Sequence, residues 1–226
     1  MTYRSPSHRY LGEIKHRPID DAEKNGIVYG KVVDIVHSIG HSAPLARLKY
    51  GDREILTAAP QGMRVNDVVA SGADAPVSVG NTLPLKKIPD GTLVYNIEIN
   101  PGDGGKLVRT AGSFARIVSK IGDQILVRLP SKSEKLFNPD SRATIGMIAG
   151  GGKKEKPFVK AGKKMHAMRA RNKLYPRTSG VAMNAVDHPF GSGRGRHAGK
   201  PKTAPRYASA GRNVGMIHAR KTGRGR

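Results

Sequence analysis

Short apolar and β-branched runs alternate with turn residues over the first 150 positions of the chain. No helical spacing of apolar residues separates these runs, so the pattern predicts small antiparallel barrels rather than a parallel α/β sheet. The Gly-Asp pairs at 51–52 and 122–123 predict hairpin turns. The predicted strands are Ile27–His37, Ala46–Tyr50, Arg53–Ala58, Met63–Ala70, Val77–Val79, Leu93–Ile99, Leu107–Arg109, Phe114–Ile121, Gln124–Leu129 and Thr144–Ile148.

The predicted strands form two series, and the segment Pro84–Gly91 between them is the candidate linker. Each series covers about 70 residues, which is the size of an OB-like or SH3-like barrel and enough to close a small core. We therefore expect one domain at residues 1–83, with a basic N-terminal arm, and a second at residues 84–150.

The character of the chain changes at Gly150-Gly151-Gly152, and residues 151–226 are called the extension here. The extension contains one helical candidate, Ala161–Lys173, with a narrow apolar stripe at Met165 and Met168. From Gly191 onward, Gly, Arg, Lys, Pro, Ala and Ser predominate. Such a segment buries too little to offset its ordering entropy, so we expect it to become ordered only with a partner.

Charge distinguishes the extension further. The chain has 40 Lys and Arg against 17 Asp and Glu, for a formal net charge of +23, and the extension alone contributes +18 of it. Such an imbalance calls for a polyanion, and nucleic acid is the usual one. An anionic membrane is the weaker alternative, because no apolar run is long enough to span one, the basic stretches carry few large apolar residues, and the first residues lack a secretory signal.

Ten cations and one acid lie between Lys153 and Arg177. That density is typical of a surface that contacts phosphates, and arginines can also stack on exposed bases. Aromatic residues make up only 5% of the chain, and no aromatic RNA-recognition motif is present. We therefore expect recognition of folded RNA by its shape and backbone.

Few residues suggest catalysis or metal binding. Asp187-His188 is a carboxylate–imidazole pair without a nucleophile. The chain has no cysteine, and its histidines are not spaced as metal ligands, so we expect no catalytic residues, no metal site and no cofactor. The Gly-rich stretch Pro101–Lys106 lacks the spacing of a P-loop, and a tight turn with positive φ is its favoured interpretation.

Several motifs resemble, in order, those of the universal large-subunit ribosomal protein of the L-two family. The strongest match is Gly180-Val-Ala-Met-Asn-Ala-Val-Asp-His-Pro-Phe-Gly191. Ala185, Phe190 and the ending Arg220-Lys-Thr-Gly-Arg224 resemble the archaeal and eukaryotic branch, and the chain starts later than typical members. The other matching stretches are Ser5-Pro-Ser-His-Arg-Tyr10, Gly80-Asn-Thr-Leu-Pro-Leu85, Pro101-Gly-Asp-Gly-Gly-Lys-Leu107, Arg142-Ala-Thr-Ile-Gly146 and Gly150-Gly-Gly152.

The resemblance implies a mainly β protein: an OB-like barrel, then an SH3-like barrel, then a long basic C-terminal extension with at most a short helix. It implies a cytoplasmic, ribosomal location and roles in subunit joining, tRNA binding and support of the peptidyl-transferase region. The implied partners are large-subunit ribosomal RNA and neighbouring ribosomal proteins, with tRNA and the small subunit nearby and neither a membrane nor a second copy of the chain.

The family segment that approaches the peptidyl-transferase region carries Asn184, Asp187 and His188. We interpret His188 as contacting RNA or ordering its segment rather than transferring protons, and the following proline restricts His188 to extended backbone. A nucleic-acid chaperone and an RNA-modifying enzyme remain alternative functions. The predicted RNA-binding residues are Arg4, His8, Arg9, Lys153, Lys154, Lys156, Lys160, Lys163, Lys164, Arg169, Arg171, Lys173, Arg177, Asn184, Asp187, His188, Arg194, Arg196, Lys200, Lys202, Arg206 and Arg212.

Overall fold

A computed structural model describes residues 9–153, 155–171, 173–193 and 197–217. The chain divides into two compact units, one of residues 7–159 and another made mostly of residues 160–226. The part of the first unit up to residue 150, before the extension, is called the body here. Of the predicted RNA-binding residues, Arg4, His8, Lys154, Arg194 and Arg196 lie outside the described residues.

The body is built from ten strands joined in the order β3-β2-β1-β4-β5-β10-β6-β7-β8-β9. Neighbouring strands pair antiparallel, apart from the parallel bridge between β4 and β5. Together with one short helix in the extension, this arrangement confirms the mainly β prediction. The strands are β1 (Ile27–Val36), β2 (Leu45–Tyr50), β3 (Arg53–Ala58), β4 (Val68–Gly72), β5 (Thr82–Pro84), β6 (Leu93–Tyr95), β7 (Ala115–Ile121), β8 (Gln124–Arg128), β9 (Glu134–Phe137) and β10 (Arg142–Ile145).

The helical elements are short. The helix α1 (Asp21–Asn25) begins where the Asp20 side chain accepts a hydrogen bond from the Glu23 N–H, as an N-cap does. The helix α2 (Ala161–Ala170) confirms the predicted helix but ends before Lys173. Two turns of 3-10 helix lie at Leu85–Lys87 and Gly180–Ala182.

Five strand predictions need correction. The strands expected at Leu93–Ile99 and Thr144–Ile148 are Leu93–Tyr95 and Arg142–Ile145 in the structure. The strand expected from Met63 begins only at Val68, because Asn66 adopts a positive φ of 74° in a turn. Val77–Val79 forms no strand, and both of its valines are exposed. Leu107–Arg109 contributes a single bridge, from Leu107 to Ile97.

Three of the α-helices and strands were not predicted. The strand β5 (Thr82–Pro84) has only three residues, too few to show an alternation. The helix α1 is a single capped turn, too short to show a helical repeat. In β9 only Phe137 is buried, so the strand lacks the alternation that identifies a half-buried strand.

The segment Pro84–Gly91 is not an exposed linker. Its Leu85 and Ile88 are completely buried, and they belong to a core cluster that also contains Ala70, before the segment, and Ile117, after it. Apolar side chains of both strand series therefore share one core, and the barrel boundaries 1–83 and 84–150 stay predictions.

The extension has no comparable core. No described residue after Ile148 is buried. In α2, Met165 is 40% exposed, so the predicted apolar stripe is not covered. The protein is thus a packed mainly β body followed by a basic extension whose described residues form no buried interior.

Candidate nucleic-acid interface

A cluster of buried charges links the segment before β1 to the start of β10. Arg142 donates from Nη2 to Glu98 Oε1 at 2.6 Å and from Nη1 to Glu23 Oε1 at 2.8 Å. Burial lowers the pKa of Arg142, but the two carboxylates outweigh it and raise that pKa above its ordinary value. Likewise, burial raises the pKa of Glu98, while the hydrogen bonds and charge of Arg142 bring it below the ordinary value. These charges neutralise one another inside the body, so they stabilise the fold rather than offer a ligand site.

The Gly-rich stretch predicted as a tight turn is held by the same cluster. Gly102, Gly104 and Gly105 have φ values of 83°, 84° and 85°, so the positive-φ interpretation is confirmed. Glu98 accepts hydrogen bonds from the Gly102 and Gly104 N–H groups at 3.2 and 3.1 Å. The loop is therefore fixed from the inside.

His16 lies beside the cluster. Its Nε2 is 2.6 Å from the Asn96 carbonyl oxygen, which can only accept, so Nε2 carries the hydrogen. Burial, and then the charge of Arg142, lower the pKa of His16 to about 4. The ring is therefore neutral at pH 7 and acts as a structural hydrogen-bond donor.

In contrast to the buried charge cluster, most described cations of the extension are exposed and form no ion pair among the described residues. Its two acids, Glu155 and Asp187, form no ion pair in the described part of the chain. Its described Lys and Arg residues are exposed, except that Arg171 and Arg212 are partly covered. The exposed members are Lys153, Lys156, Lys160, Lys163, Lys164, Arg169, Lys173, Arg177, Lys200, Lys202 and Arg206.

Two lysines of the helix α2 lie in its first turn, where positive charge is least favourable. Its first turn contains Lys163 and Lys164 and no acidic residue, and the Lys160 side chain does not cap it. Cations near a helix N-terminus oppose the helix dipole, and a helix of about ten residues is marginal by itself. An anion at this end would relieve both effects, which favours a phosphate ligand.

The motif segment Gly180–Gly191 folds into a turn that carries Asn184 and Asp187 on its exposed side. The Asn184 carbonyl accepts from the Asp187 and His188 N–H groups at 3.0 and 3.2 Å. A Cβ on Gly191 would collide with that carbonyl group, so the turn requires glycine there. Val186, at 96% exposed, marks the tip of the turn.

His188 is built into this segment. Its Nδ1 accepts a hydrogen bond from the Phe190 N–H at 3.0 Å, and the two rings lie 5.3 Å apart. A Cβ on Gly180 would overlap the imidazole ring, so the backbone of Gly180 lies directly against it. The Asp187 carboxylate makes no hydrogen bond to His188 among the described residues. The adjacent pair therefore does not form a carboxylate–imidazole dyad.

The described predicted residues lie in two regions of the chain. Arg9 is exposed and belongs to the body, and the remaining described residues follow one another along the extension. Sequence reasoning missed the cluster of Arg17, Glu23, Glu98 and Arg142, because its members are spread over more than a hundred positions. Their only sequence signal is charge next to apolar strand residues.

Other site types find no support in the described ranges. Within residues 9–153, 155–171, 173–193 and 197–217, no group of three His, Asp or Glu side chains could hold a metal ion. Among the same residues, no helix is both long and apolar enough to cross a membrane.

A β body followed by exposed cations without carboxylate partners is typical of one class, the basic proteins that bind nucleic acid. Comparison with known proteins identifies the family. A family model described as "Ribosomal Proteins L2, C-terminal domain" matches residues 78–208. The chain belongs to the ribosomal protein L2 family, which confirms the resemblance.

Similarity to individual relatives extends over the whole chain. The chain is 52% identical to the "Large ribosomal subunit protein uL2" of Methanothermobacter thermautotrophicus over 226 residues, covering 100% of this chain and 94% of the relative. With the protein of the same name from Methanopyrus kandleri it is 52% identical over 225 residues, which cover 99% and 93%. With that of Methanococcus maripaludis it is 52% identical over 223 residues, which cover 98% and 93%.

Proposed function

We propose that this protein is a structural, non-enzymatic constituent of the large ribosomal subunit in the cytoplasm and that it binds large-subunit ribosomal RNA. The observation that carries the RNA-binding proposal is the set of exposed, unpaired cations in the extension. Family membership supports the ribosomal assignment, since the similar proteins are named large ribosomal subunit proteins.

The contrast in charge pairing explains why the extension is the main RNA-binding element. Body lysines such as Lys86, whose Nζ lies 2.7 Å from Asp140 Oδ1, already have a carboxylate partner. A cation without a carboxylate partner, such as Lys200, gains more from a phosphate. Each Lys or Arg that meets a phosphate also releases condensed counterions, which favours binding at low salt.

The finer roles follow from the family assignment. The protein supports subunit association and tRNA binding and helps to organise the peptidyl-transferase region, next to neighbouring ribosomal proteins and without forming homo-oligomers. Its body comprises an OB-like barrel at 1–83 and an SH3-like barrel at 84–150, and the extension at 151–226 follows the RNA.

His188 orders the motif segment and contacts RNA. The hydrogen bond from the Phe190 N–H to Nδ1 supports the ordering role, since it uses the nitrogen that a catalytic dyad would give to a carboxylate. His188→Ala should therefore reduce subunit assembly or activity only in part. Peptide-bond formation measured against pH on fully assembled particles tests this role, and a collapse in rate with loss of a titrating step would contradict it.

The salt dependence of binding tests the central proposal. Affinity for large-subunit RNA should fall steeply with salt, with a log–log slope of roughly −0.7 to −0.9 for each phosphate neutralised. Lys163→Gln and Lys200→Gln should each reduce the slope by about that amount. The matched controls Lys24→Gln and Lys86→Gln, whose lysines pair with Asp21 and Asp140, should change it little.

Two outcomes would contradict the proposal. A nearly flat salt response would remove the electrostatic basis of binding. Equal affinity for large-subunit RNA, unrelated RNA and duplex DNA would favour a general nucleic-acid chaperone. Cosedimentation of the tagged protein with large-subunit particles in high salt checks the ribosomal assignment independently.

A further inference from the structure

The sheet of the body ends in two edge strands, β3 and β9, which differ in what lies beside them. An edge strand leaves a row of backbone N–H and C=O groups free to pair with another chain. At β3 the segment before α1 covers this row, because the Lys15 N–H donates to the Leu56 carbonyl at 3.1 Å. At β9 no backbone hydrogen bond other than those with β8 is formed among the described residues. The edge formed by β9 is therefore open.

The pairing of β9 with β8 determines which backbone groups of β9 point outward. The Ser133 carbonyl, just before β9, accepts a hydrogen bond at 2.9 Å from the residue that follows β8. Hydrogen-bonded and non-bonded pairs alternate along an antiparallel ladder, and the register of β9 is continuous. Lys135 and Phe137 therefore direct their N–H and C=O groups towards β8, as Ser133 does. Glu134 and Leu136 direct theirs away from the sheet.

The side chains of β9 give this edge an apolar strip. Leu136 is 47% exposed and pairs with Leu126 of β8, which is partly exposed on the same face of the sheet. A strand added beside β9 would extend this pair and cover Leu136. Native edge strands are usually protected by short length, proline, a bulge or charge. Since β9 contains neither proline nor a bulge, only its short length and its charge protect it.

The charge at the edge selects the chemistry of a partner. Glu134 is neutralised by Arg128 of β8, whose Nη2 lies 2.8 Å from Glu134 Oε1. Lys132, in the turn before β9, and Lys135 are exposed and form no ion pair among the described residues. A partner strand with acidic residues beside these lysines is therefore favoured. The extension contains only two acids, so an acidic segment comes from another protein.

We propose that β9 is a docking edge for an extended segment of another protein, which joins the sheet as a further strand and alternates apolar and acidic residues. Its apolar residues lie beside Leu136 on one face, and its acidic residues lie beside Lys135 on the other. The free N–H and C=O groups of β9 favour a peptide backbone over RNA, because a phosphate accepts hydrogen bonds but donates none. This docking edge belongs to the body and does not depend on the proposed RNA binding.

A designed peptide tests the docking edge on the full chain in the absence of RNA. The probe is an octapeptide of alternating valine and glutamate with blocked ends. Its valines lie opposite Leu136, so their backbone groups face β9, and those of the glutamates face away. Binding should protect the Glu134 and Leu136 amides from hydrogen exchange.

Methylation of the peptide separates backbone pairing from attraction by charge. Methylating the valine amide nitrogens should weaken binding by more than about tenfold, since each lost hydrogen bond changes the affinity by roughly 2- to 12-fold. The matched control carries the same methyl groups on the glutamate amides, which face away from β9. This control should bind as tightly as the parent peptide.

Two variants change the protein side of the contact. Leu136→Pro removes an outward N–H that the pairing with β8 does not use, so the body should keep its fold, which urea unfolding checks. It should weaken probe binding by roughly tenfold. Lys135→Glu should weaken binding by roughly 2- to 5-fold, and a probe with lysine in place of glutamate should restore the affinity. The control Lys31→Glu, on β1 in the interior of the sheet, should leave binding unchanged.

Three outcomes would overturn the docking edge. The first is a probe that leaves the exchange of the Glu134 and Leu136 amides unchanged. The second is equal binding of octaglutamate or of the valine-methylated peptide, because charge alone would then account for the affinity. The third is hexauridylate that protects the same amides and displaces the probe, because the edge would then meet RNA. A flat salt response with large-subunit RNA would contradict the proposed function alone and leave these peptide measurements unaffected.

Discussion

The body and the extension differ in how they use charged residues. In the body, Arg142 is 4% exposed and lies between Glu23 and Glu98, so its charge serves the fold. In the extension, lysines such as Lys163 and Lys200 are exposed, and neither acid of the extension is paired in the described part of the chain. Whether the fold places an acid beside a cation therefore indicates the role of that cation better than its neighbours in the sequence do.

The same contrast applies to apolar residues. The body buries complete side chains such as Leu45, Tyr95 and Ile148. The described extension buries none, and Val186, its most exposed large apolar residue among those described, is 96% exposed. Burial supplies the main driving force of folding, so the body should fold by itself and the extension should depend on its partner.

Limited trypsinolysis should show the largest difference between the two regions. Without RNA, sites in the extension such as Lys173 and Lys202 should be cut rapidly, and a core near residues 1–150 should survive. Sites inside the body should be cut at least about a thousandfold more slowly. Cleavage there requires unfolding, which costs several kcal/mol of free energy.

RNA should protect the extension sites without affecting the core, since phosphates remove the repulsion between its cations. Mass spectrometry of the fragments over time measures both rates. An extension that resists trypsin in the free protein would mean that it contains a domain with its own core.

The next largest effect concerns the buried charge cluster. Arg142→Met should lower the free energy of unfolding by roughly 3–5 kcal/mol, because two buried carboxylates lose their partner. The matched control Arg169→Met, in α2, should change it by less than about 0.5 kcal/mol, since Arg169 is exposed and forms no ion pair among the described residues. Urea unfolding measures both. Similar losses in the two variants would end the distinction between the regions.

Local patterns in the sequence predicted much of the body but not its charge cluster. Arg53–Ala58 was predicted with its observed bounds, and Gln124–Leu129 within one residue, because alternating β-branched residues and a Gly-Asp turn act over a few positions. The pairing of Glu98 with Arg142 joins residues 44 positions apart, and no local pattern encodes it.

Sequence reasoning likewise predicted one surface feature and missed another. The unpaired cations of the extension were predicted because density along the chain is itself the signal. The groove of the body between segments 10–15, 40–42 and 103–110 was not, because Tyr10, His41 and Arg109 come from three separate segments. Sequence alone marked Tyr10 only as the end of a matching motif.

The pH dependence of stability should also separate the two regions. The pKa of His16 is about 4 in the folded body, below its ordinary value of 6.5, because of burial first and Arg142 second. As the pH falls from 6.5 to 4, His16 therefore binds a proton in the unfolded chain but stays neutral in the folded body. The free energy of unfolding should therefore decrease as the pH falls through this window, by an amount on the order of 3 kcal/mol.

Below about pH 4.5 the loss should continue, because Glu98 has a lowered pKa and its stabilisation disappears as it becomes protonated. His16→Gln should flatten the slope between pH 6.5 and 4, as urea unfolding at several pH values would show. The control His197→Gln changes an exposed histidine of the extension and should leave the slope intact. A slope that survives His16→Gln would assign the pH response to another group.

The smallest expected effect tests whether α2 is marginal in the free protein. Gly162 lies in its first turn, and a Cβ at this position would have no neighbouring atom within 4 Å, so Gly162→Ala adds a methyl group without a clash. The change should favour the helix by roughly 0.5–1 kcal/mol, because alanine loses less backbone entropy than glycine. A helix that is only partly formed responds to such a change, and circular dichroism at 222 nm should become more negative.

The matched change Gly180→Ala, outside α2, should add no helical signal and should displace the His188 ring, which lies directly against Gly180. An unchanged spectrum for Gly162→Ala would mean that α2 is already fully formed without RNA, and the extension would then hold at least one element as independent of its partner as the body is.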